Sequence, residues 1–396
     1  MSDAERMILK MLAEGKITVE ESERLLNAMK KSDNDENNKG YTRRIYDEED
    51  EEPRRKKRGI GPQDFINPFI QATKLGFDLR NIAQTVQQTV SQTVKKVEPR
   101  SKELKDKMKE FGTWMQDVVD TMATEITTSR TDPADSQDVN FTVPAPDGIE
   151  NCRKISIENV FGEIRIVTGD EFHLHVVGHI GRSALEDMKP WNWFSKKGMR
   201  LDGNELHIGF DNAKSIQAVM DMEFVLPEGI TLECKTVSGE IKIKGPFNIR
   251  EVQTVSGNIK LFKCSLQHAL LDTVSGIVQI DESEGKAELH STSGDFLVKN
   301  TEIKGLKVVS VSGDVMITES RIASDDDINI KTTSGDIMAE RIKGLWSVIE
   351  AVSRNGEITL DWNGNLSDMP GGSSLHSGNS GAVIKAESVS GDIQFN

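Results

Sequence analysis

The stretch TVSGEIKIKG, residues 236–245, begins a pattern that fills the C-terminal part of this 396-residue chain. Each copy joins a turn ending in Ser-Gly to a short run of alternating apolar residues. A single site would need such a turn once, so its repetition indicates architecture. The later copies are TVSGNIKL (254–261), TVSGIVQI (273–280), STSGDFLV (291–298), SVSGDVMI (310–317), TTSGDIMA (332–339) and SVSGDIQF (388–395).

Aligned on its glycine, the repeat shows spacings of 18, 19, 18, 19, 22, 21 and 35 residues. The residues two and four places after each glycine are apolar, and the residue three places before it is Ser or Thr. A unit this short cannot bury its own apolar face, so the units must stack. We predict a mostly β fold, a parallel β-solenoid of about 18–22-residue coils, with the glycine at a corner. The corner glycines are Gly239, Gly257, Gly276, Gly294, Gly313, Gly335, Gly356 and Gly391.

Further expectations concern the inside and the ends of this stack. The Ser and Thr hydroxyls are too short to reach solvent from inside, so we expect them to bond neighbouring coils or backbone and form a ladder. A fainter copy, ISIENVFGEIRI (155–166), opens the domain, and residues 167–230 are expected to form a flanking sheet or cap. The spacing of 35 between Gly356 and Gly391 is expected to hold a flexible loop before a last coil.

Ahead of the repeats, the apolar periodicity predicts helices separated by polar linkers. Residues 1–30 are predicted as a helical hairpin, 31–60 as a disordered charged linker, 61–129 as an amphipathic helical segment and 130–148 as a linker before the solenoid at 149–396. The last part of the helical segment has a heptad-like apolar seam. Its residues are Leu104, Met108, Phe111, Met115, Val118, Met122 and Ile126.

Helices with such seams need a partner, and the sequence leaves three uses open. They could assemble the chain into a homo-oligomer, bind another protein, or fold as a collar against the β domain. In addition, the basic run RRKKR (54–58) stands beside apolar residues up to Phe77. That combination is typical of peripheral membrane contact through residues 54–77, although a solvated tether is the simpler interpretation.

Composition excludes several classes of protein. The formal net charge of −15 argues against nucleic-acid binding, which needs a basic face. Three cysteines without close spacing do not form a disulfide framework. The charged N-terminus does not resemble a secretory signal, and no run of about 18 apolar residues would span a membrane. We expect a cytoplasmic protein, with association at a membrane surface left open.

Candidate chemistry is sparse, and we predict no catalytic, cofactor or metal site and no enzyme. His173, His175 and His179 share strand parity and could face one way toward a metal, but an exposed strand face is the simpler interpretation. Trp191, Trp193 and Phe194 stand among lysines as candidates for partner, sugar or membrane contact, or as an aromatic plug over the end of the solenoid.

An acid or Asn follows most of the corner glycines, as in calcium-binding β-rolls. The repeat lacks the second Gly-rich turn that such rolls use, so turn-favouring acids facing water are the preferred interpretation. These residues are Glu240, Asn258, Asp295, Asp314, Asp336, Glu357 and Asp392.

The iterated TVSGEIKI coil and the VLPEGITLEC stretch before it resemble the DUF4097 family of β-strand-repeat proteins, often labelled adhesins. The opening ILKMLAEGKITVEESERLLNAM resembles the SHOCT-like hairpin that precedes such domains in YvlB- and LiaX-type proteins of Gram-positive bacteria. This resemblance implies a β-repeat domain without catalytic residues and a link to cell-envelope stress. We expect a non-enzymatic scaffold, with a surface adhesin and a metal- or carbohydrate-binding module as alternatives.

Overall fold

The computed structural model describes residues 136–181, 185, 188–209, 218–323, 327–344, 346–361, 365–369, 372–376 and 381–396. The predicted hairpin (1–30), charged linker (31–60) and helical segment (61–129) lie outside these residues. Ser136–Val143, predicted as part of a linker, is a β-strand instead. Its Val139 and Val143 are buried because apolar residues alternate with polar ones and the strand pairs with a neighbour.

The described residues form one α-helix, one 3-10 helix and 27 strands. The N-terminal elements are β1 (Ser136–Val143), the 3-10 helix Ile149–Asn151, β2 (Lys154–Phe161), β3 (Ile164–Thr168), β4 (His173–Gly181), α1 (Pro190–Lys197), β5 (Met199–Asp202), β6 (Glu205–Ile208) and β7 (Ala218–Leu226). The central strands are β8 (Thr231–Ser238), β9 (Ile241–Lys244), β10 (Asn248–Ser256), β11 (Ile259–Phe262), β12 (Ser265–Ser275), β13 (Val278–Asp281), β14 (Glu284–Ser293), β15 (Phe296–Lys299), β16 (Glu302–Ser312) and β17 (Val315–Thr318). The C-terminal strands are β18 (Arg321–Ile322), β19 (Ile328–Ser334), β20 (Ile337–Glu340), β21 (Lys343–Gly344), β22 (Trp346–Ser353), β23 (Ile358–Leu360), β24 (Asn365–Met369), β25 (Gly372–His376), β26 (Ala382–Ser390) and β27 (Ile393–Phe395).

Over the described residues the strands form two sheets. The short-strand sheet has 12 strands in the order β1-β4-β7-β3-β9-β11-β13-β15-β17-β20-β27-β23. The long-strand sheet has 15 strands, of which thirteen follow the order β24-β25-β22-β26-β19-β16-β14-β12-β10-β8-β2-β6-β5 and two, β18 and β21, pair at its margin. Each central repeat gives one strand to each sheet, so the chain winds in coils between them.

Successive coils stack in parallel register. In the long-strand sheet, Val252 lies opposite Cys234 on one side and Leu271 on the other. In the short-strand sheet, Ile259 lies between Ile241 and Val278. These residues are all buried and belong to one continuous apolar core between the two sheets. The predicted mostly β architecture with long, parallel-rich sheets is therefore confirmed over the described residues.

Each corner glycine lies between a long strand and the short strand that follows it. The glycines stack so closely that a Cβ atom on one would meet the carbonyl oxygen of the glycine beneath it at about 2 Å, for example 2.0 Å between Gly257 and Gly239 and 2.1 Å between Gly335 and Gly313. Some of them, such as Gly276 (φ +146°), also have a left-handed backbone. Close approach of stacked backbones is thus the feature common to the column.

The predicted ladder of Ser and Thr hydroxyls is wrong for most of the column. Ser353 and Ser388 do donate to the carbonyls of Gly391 and Gly335, at 2.9 and 3.3 Å. Six other buried hydroxyls have no hydrogen-bond partner among the described residues, since they lie in the apolar interior with the backbone already paired along the sheet. These are Thr236, Thr254, Thr273, Ser291, Ser310 and Thr332.

A hydroxyl ladder does exist at the second corner, where the short strand turns into the next long strand. Ser283 Oγ accepts the Cys264 N–H at 3.1 Å and donates to Asp281 O at 2.8 Å. Two coils further on, Ser320 Oγ accepts the Thr301 N–H at 3.2 Å. Each hydroxyl therefore closes its own turn and ties it to the preceding coil.

The C-terminal coil does not lie at the end of the stack. The chain forms β22 and β23 at the far end and returns, so that β26 and β27 insert between them and the coil of β19 and β20. Part of the stretch expected to be a flexible loop is the antiparallel hairpin β24–β25, which pairs with β22. The spatial order of the coils therefore differs from their order in the sequence, because the repeat pattern carries no information on stacking order.

The N-terminal end of the stack is closed by non-repeat strands, as expected for residues 167–230. β4 pairs antiparallel with β1 on one side and with β7 on the other, and these strands extend the short-strand sheet, while β5 and β6 extend the long-strand sheet. The first faint repeat is real: β2 and β3 flank Gly162 and stack under β8 and β9. Its Asn159 replaces the Ser or Thr and donates to the carbonyls of Phe161, Gly162 and Met220.

Candidate interaction surface

The outward side chains of the long-strand sheet form the candidate functional surface. Strand alternation turns Val252 and Thr254 of β10 inward, so Glu251 and Gln253 point outward. The parallel register then stacks equivalent outward residues of successive coils in columns with a spacing of about 4.8 Å. Because every coil repeats the same backbone, differences in solvent exposure along a column depend on the side chains themselves and on what lies over them.

A polar cluster occupies the middle of this outer face on β10, β12 and β14. The Gln253 amide donates to Asp272 Oδ2 at 2.7 Å, and His290 Nδ1 lies 2.8 Å from Asp272 Oδ1. Glu288 Oε2 is 3.8 Å from His290 Nε2 and 3.6 Å from Lys307 Nζ. Asp272 thereby connects three successive coils on the outside of the sheet.

This cluster is buried although it points away from the core. Gln253 is 0% exposed, His290 4% and Asp272 7%, and the outward Leu270 beside them is 1% exposed. We call the buried outward residues Glu251, Gln253, Leu270, Asp272 and His290 the covered patch. Nothing in the repeat pattern distinguished it in advance, apart from Leu270, an apolar residue at an outward position.

The C-terminal part of the same face is exposed. In its outermost column, two residues before the corner glycines, Val311, Thr333 and Val389 are β-branched, and Val311 and Val389 are 40% and 39% exposed. The neighbouring ion pair Lys331–Glu387, at 2.9 Å, has both side chains 46% exposed. We call Val311, Thr333, Val389, Lys331 and Glu387 the open patch.

The covered patch contains a histidine with a carboxylate at each ring nitrogen. A histidine bonded to an aspartate is also the arrangement of acid–base pairs in enzymes. Here, however, His290 has Asp272 at Nδ1 and Glu288 facing Nε2, so both ring nitrogens face carboxylates. The imidazole is held in place by its neighbours instead of being directed at a substrate.

The three histidines considered for metal binding lie on β4, and two of them bond across to β1. His175 Nε2 is 2.9 Å from Asn140 Oδ1, and His179 Nδ1 is 2.7 Å from Asp138 Oδ1. His173 Nδ1 is 3.3 Å from the Phe172 carbonyl. Within the described residues, no group of three or more His, Cys, Asp or Glu side chains is placed to hold a metal ion.

The aromatic candidates lie on α1 and differ in exposure. Trp193 and Phe194 are fully buried, and the Phe194 ring packs edge-on against Phe141 with centroids 5.9 Å apart. Trp191 is 44% exposed. Of these three candidates, Trp191 alone presents a large surface to solvent, while the other two fill the N-terminal end of the core.

The acids after the corner glycines form a ladder along the outside of the stack, which the sequence did not suggest. Asp295 Oδ1 accepts the Asp314 N–H at 2.9 Å, and Asp314 Oδ1 accepts the Asp336 N–H at 2.8 Å. The ladder continues through Asp392 to Glu357, in the spatial order of the coils. These carboxylates therefore link coils as well as favouring the turn.

We expect Asp314→Asn to stabilise the β domain at neutral pH. Burial, followed by repulsion from Asp295 and Asp336, raises the pKa of the Asp314 carboxyl. A carboxyl with a raised folded-state pKa contributes stability below its unfolded pKa and loses that contribution as the pH rises through the folded value. At pH 7 the ionised Asp314 therefore costs stability, and Asn removes the charge but keeps the accepting oxygen, as Asn258 shows with the Ile277 N–H at 2.9 Å.

The expected gain from Asp314→Asn is about 0.5 kcal/mol, since the side chain is only partly withdrawn from water and solvent screens its charge. Thermal unfolding at pH 7 and at about pH 3, below the ordinary Asp pKa of about 3.9, measures it, and the gain should disappear at the lower pH. The control Asp314→Ala lacks the acceptor and should destabilise at both pH values. A gain of equal size at both pH values would contradict the electrostatic explanation.

Cys152, Cys234 and Cys264 are all free and buried. Burial raises the pKa of the Cys264 thiol to about 12 and raises the pKa of Cys234 as well. Such thiols carry almost no thiolate at neutral pH and are chemically inert in the folded protein.

In the part of the chain that is described, no helix is both long enough and apolar enough to cross a membrane.

Two bacterial proteins are among the solved structures that match the chain. One, a "putative adhesin" from Bacteroides fragilis, is 14% identical, covers 66% of this chain and 97% of its own, and has a TM-score of 0.33. The other, a "putative cell adhesion protein" from Clostridium sporogenes, is 12% identical, covers 65% of this chain and 99% of its own, and has a TM-score of 0.18. No curated protein matches the chain.

Two family models match, and both agree with the resemblance seen in the sequence. A SHOCT-like domain model matches residues 5–34. The Toastrack DUF4097 model matches residues 152–396, which include all the coils and their N-terminal cap. Because this match spans more than half of the chain, the protein belongs to the Toastrack DUF4097 family.

Proposed function

We propose that the protein is a non-enzymatic bacterial scaffold whose β domain binds a protein partner through the open patch. The observation that carries the proposal is the exposure of Val311 and Val389 in an uninterrupted column of β-branched residues, beside the ion pair Lys331–Glu387. Apolar groups bordered by charges are the usual composition of a protein-binding surface. The rigid stack of coils holds these groups at fixed spacing, so little ordering cost is incurred on binding.

The N-terminal part supplies the second half of the proposal. The SHOCT-like hairpin and residues 61–97 of the helical segment assemble copies of the chain, and residues 54–77 bring it to a membrane surface. A cytoplasmic scaffold of this design, in contact with the membrane, fits a role in the cell-envelope stress response. The names of the two similar structures favour a second candidate, a surface adhesin.

The partner proposal is tested in native cells with full-length protein carrying a photo-crosslinking residue at Thr333. We expect a discrete cross-linked product that disappears when Val311→Lys and Val389→Lys are added, since two charges would have to be buried in the interface. The matched control carries the same photo-residue at Lys260, on the outer face of the short-strand sheet. A product that persists in the double Lys variant, or that also forms from position 260, would refute binding through the open patch.

Trypsin distinguishes the scaffold from the adhesin. Residues 43–58 contain several Arg and Lys residues, so they provide a cleavage site on whichever side of the membrane they lie. Cleavage only after lysis supports the cytoplasmic scaffold. Cleavage in intact cells would place the protein outside and make the adhesin the better proposal.

A further inference from the structure

The covered patch is an anomaly of the outer face. Gln253, His290 and Lys331 occupy the same column in coils with the same backbone, each with a paired strand on both sides. Gln253 is 0% exposed and His290 4%, whereas the Lys331 side chain is 46% exposed. Neighbouring strands cannot produce this difference, because all three residues have them. A layer over β10, β12 and β14 is required.

The adjacent column shows the same gradient. Outward Leu270 is 1% exposed, while the equivalent Lys385 and its partner Glu350 have side chains 42% and 35% exposed. An outward leucine at the centre of a sheet favours an apolar covering group. The buried atoms Gln253 Oε1, His290 Nε2 and Glu288 Oε2, which lack hydrogen-bond partners among the described residues, favour a covering group that also carries polar side chains.

We propose that residues 104–126 of the same chain dock on the covered patch as an amphipathic helix. The seam from Leu104 to Ile126 would supply the apolar stripe, and Trp114 beside it carries an N–H donor. Such a helix is about 34 Å long and easily crosses the five strands from β8 to β16, which span about 20 Å.

Chain connection permits this docking. The described chain begins at Ser136, and the nine residues 127–135 between the segment and β1 reach up to about 30 Å. The docked segment leaves the open patch exposed, so this inference is independent of the partner binding proposed above. It assigns residues 104–126 to the β domain and leaves residues 1–97 for assembly and membrane contact.

The test uses Leu270→Cys in the full-length protein and measures the rate at which a thiol reagent labels the introduced cysteine. Docking predicts slow labelling that becomes at least tenfold faster when Met115→Asp disrupts the seam. Thr113→Asp, on the opposite side of the predicted helix, is the matched control and should leave labelling slow. Val311→Cys, on the open patch, should label rapidly in every background.

Native Cys234 reports unfolding, since it is fully buried and must remain unlabelled in each folded variant. Labelling of Leu270→Cys that stays slow with Met115→Asp would show that residues 104–126 do not cover the patch and would overturn the proposal. Protection that weakens on dilution would show that a second copy supplies the cover, which also overturns docking within one chain. Fast labelling in the otherwise unaltered protein would refute any cover at this face.

Discussion

Deleting Ala382–Asn396 is expected to release the strands β22 to β25, although these strands precede the deletion in the chain. β22 pairs with the rest of the stack through β26, and β23 pairs through β27. The hairpin β24–β25 is attached in turn to β22. Without the inserted coil, the whole of 346–376 loses its strand partners in the stack, while β8–β17 keep theirs.

The expected effect is large because the inserted coil is paired on both sides in both sheets. Its inward Ile384, Ile393 and Phe395 are at most 2% exposed, and burying side chains of this size contributes about 1.5–3 kcal/mol each. Hydrogen exchange of the full-length and truncated proteins measures the loss. Amides of β22 and β23 should exchange at least about a hundredfold faster, whereas those of β10–β15 should change little.

A matched control replaces the hairpin Asn365–His376 with a short Gly-Ser linker. This variant also removes strands from the C-terminal end, but it keeps β26 and β27 between their neighbours. Protection of β22 and β23 should then fall only slightly. If β22 stays protected after deletion of Ala382–Asn396, the inserted order of the coils is not the one the protein adopts in solution.

The sequence could predict the coil because the same physical demand recurs at every level of the stack. Residues such as Ile259, Val278 and Phe296 occupy equivalent inward positions. The sequence therefore contains eight copies of the same apolar pattern, and each copy supports the same prediction. The order of the coils could not be predicted in the same way. SVSGDIQF would fit beside any other copy, and the outward pairs between the observed neighbours, such as Lys331–Glu387 and Lys385–Glu350, follow no repeat.

The covered patch could not be predicted from the sequence for a related reason. Outward residues vary from coil to coil, so Gln253, Asp272 and His290 form no motif until the register places them side by side. Leu270 was the available signal, because equivalent outward positions in neighbouring coils carry Glu251, Glu288 and Lys307. The hydroxyl ladder was placed at the wrong corner because the sequence shows which residues turn inward but not which carbonyls are still free to accept.

Gly276→Ala is the point substitution with the largest expected effect. The new Cβ would lie 2.0 Å from the Gly257 carbonyl oxygen and 2.7 Å from its carbon, and both are backbone atoms inside the sheet. The backbone at Gly276, with φ of +146°, is also one that alanine avoids. Two stacked coils would have to separate locally, which breaks their parallel pairing, so we expect a loss of at least about 3 kcal/mol.

Gly203→Ala is the matched control, since Gly203 also has a positive φ, of +61°, but an added Cβ would meet nothing within 4 Å. It carries the cost of the left-handed backbone alone, about 1 kcal/mol. Urea unfolding followed by circular dichroism compares the two. Equal losses would mean that the corner needs glycine for its backbone angle. A much larger loss for Gly276→Ala would show that TVSG repeats because each glycine must lie directly against the next, which no other residue permits.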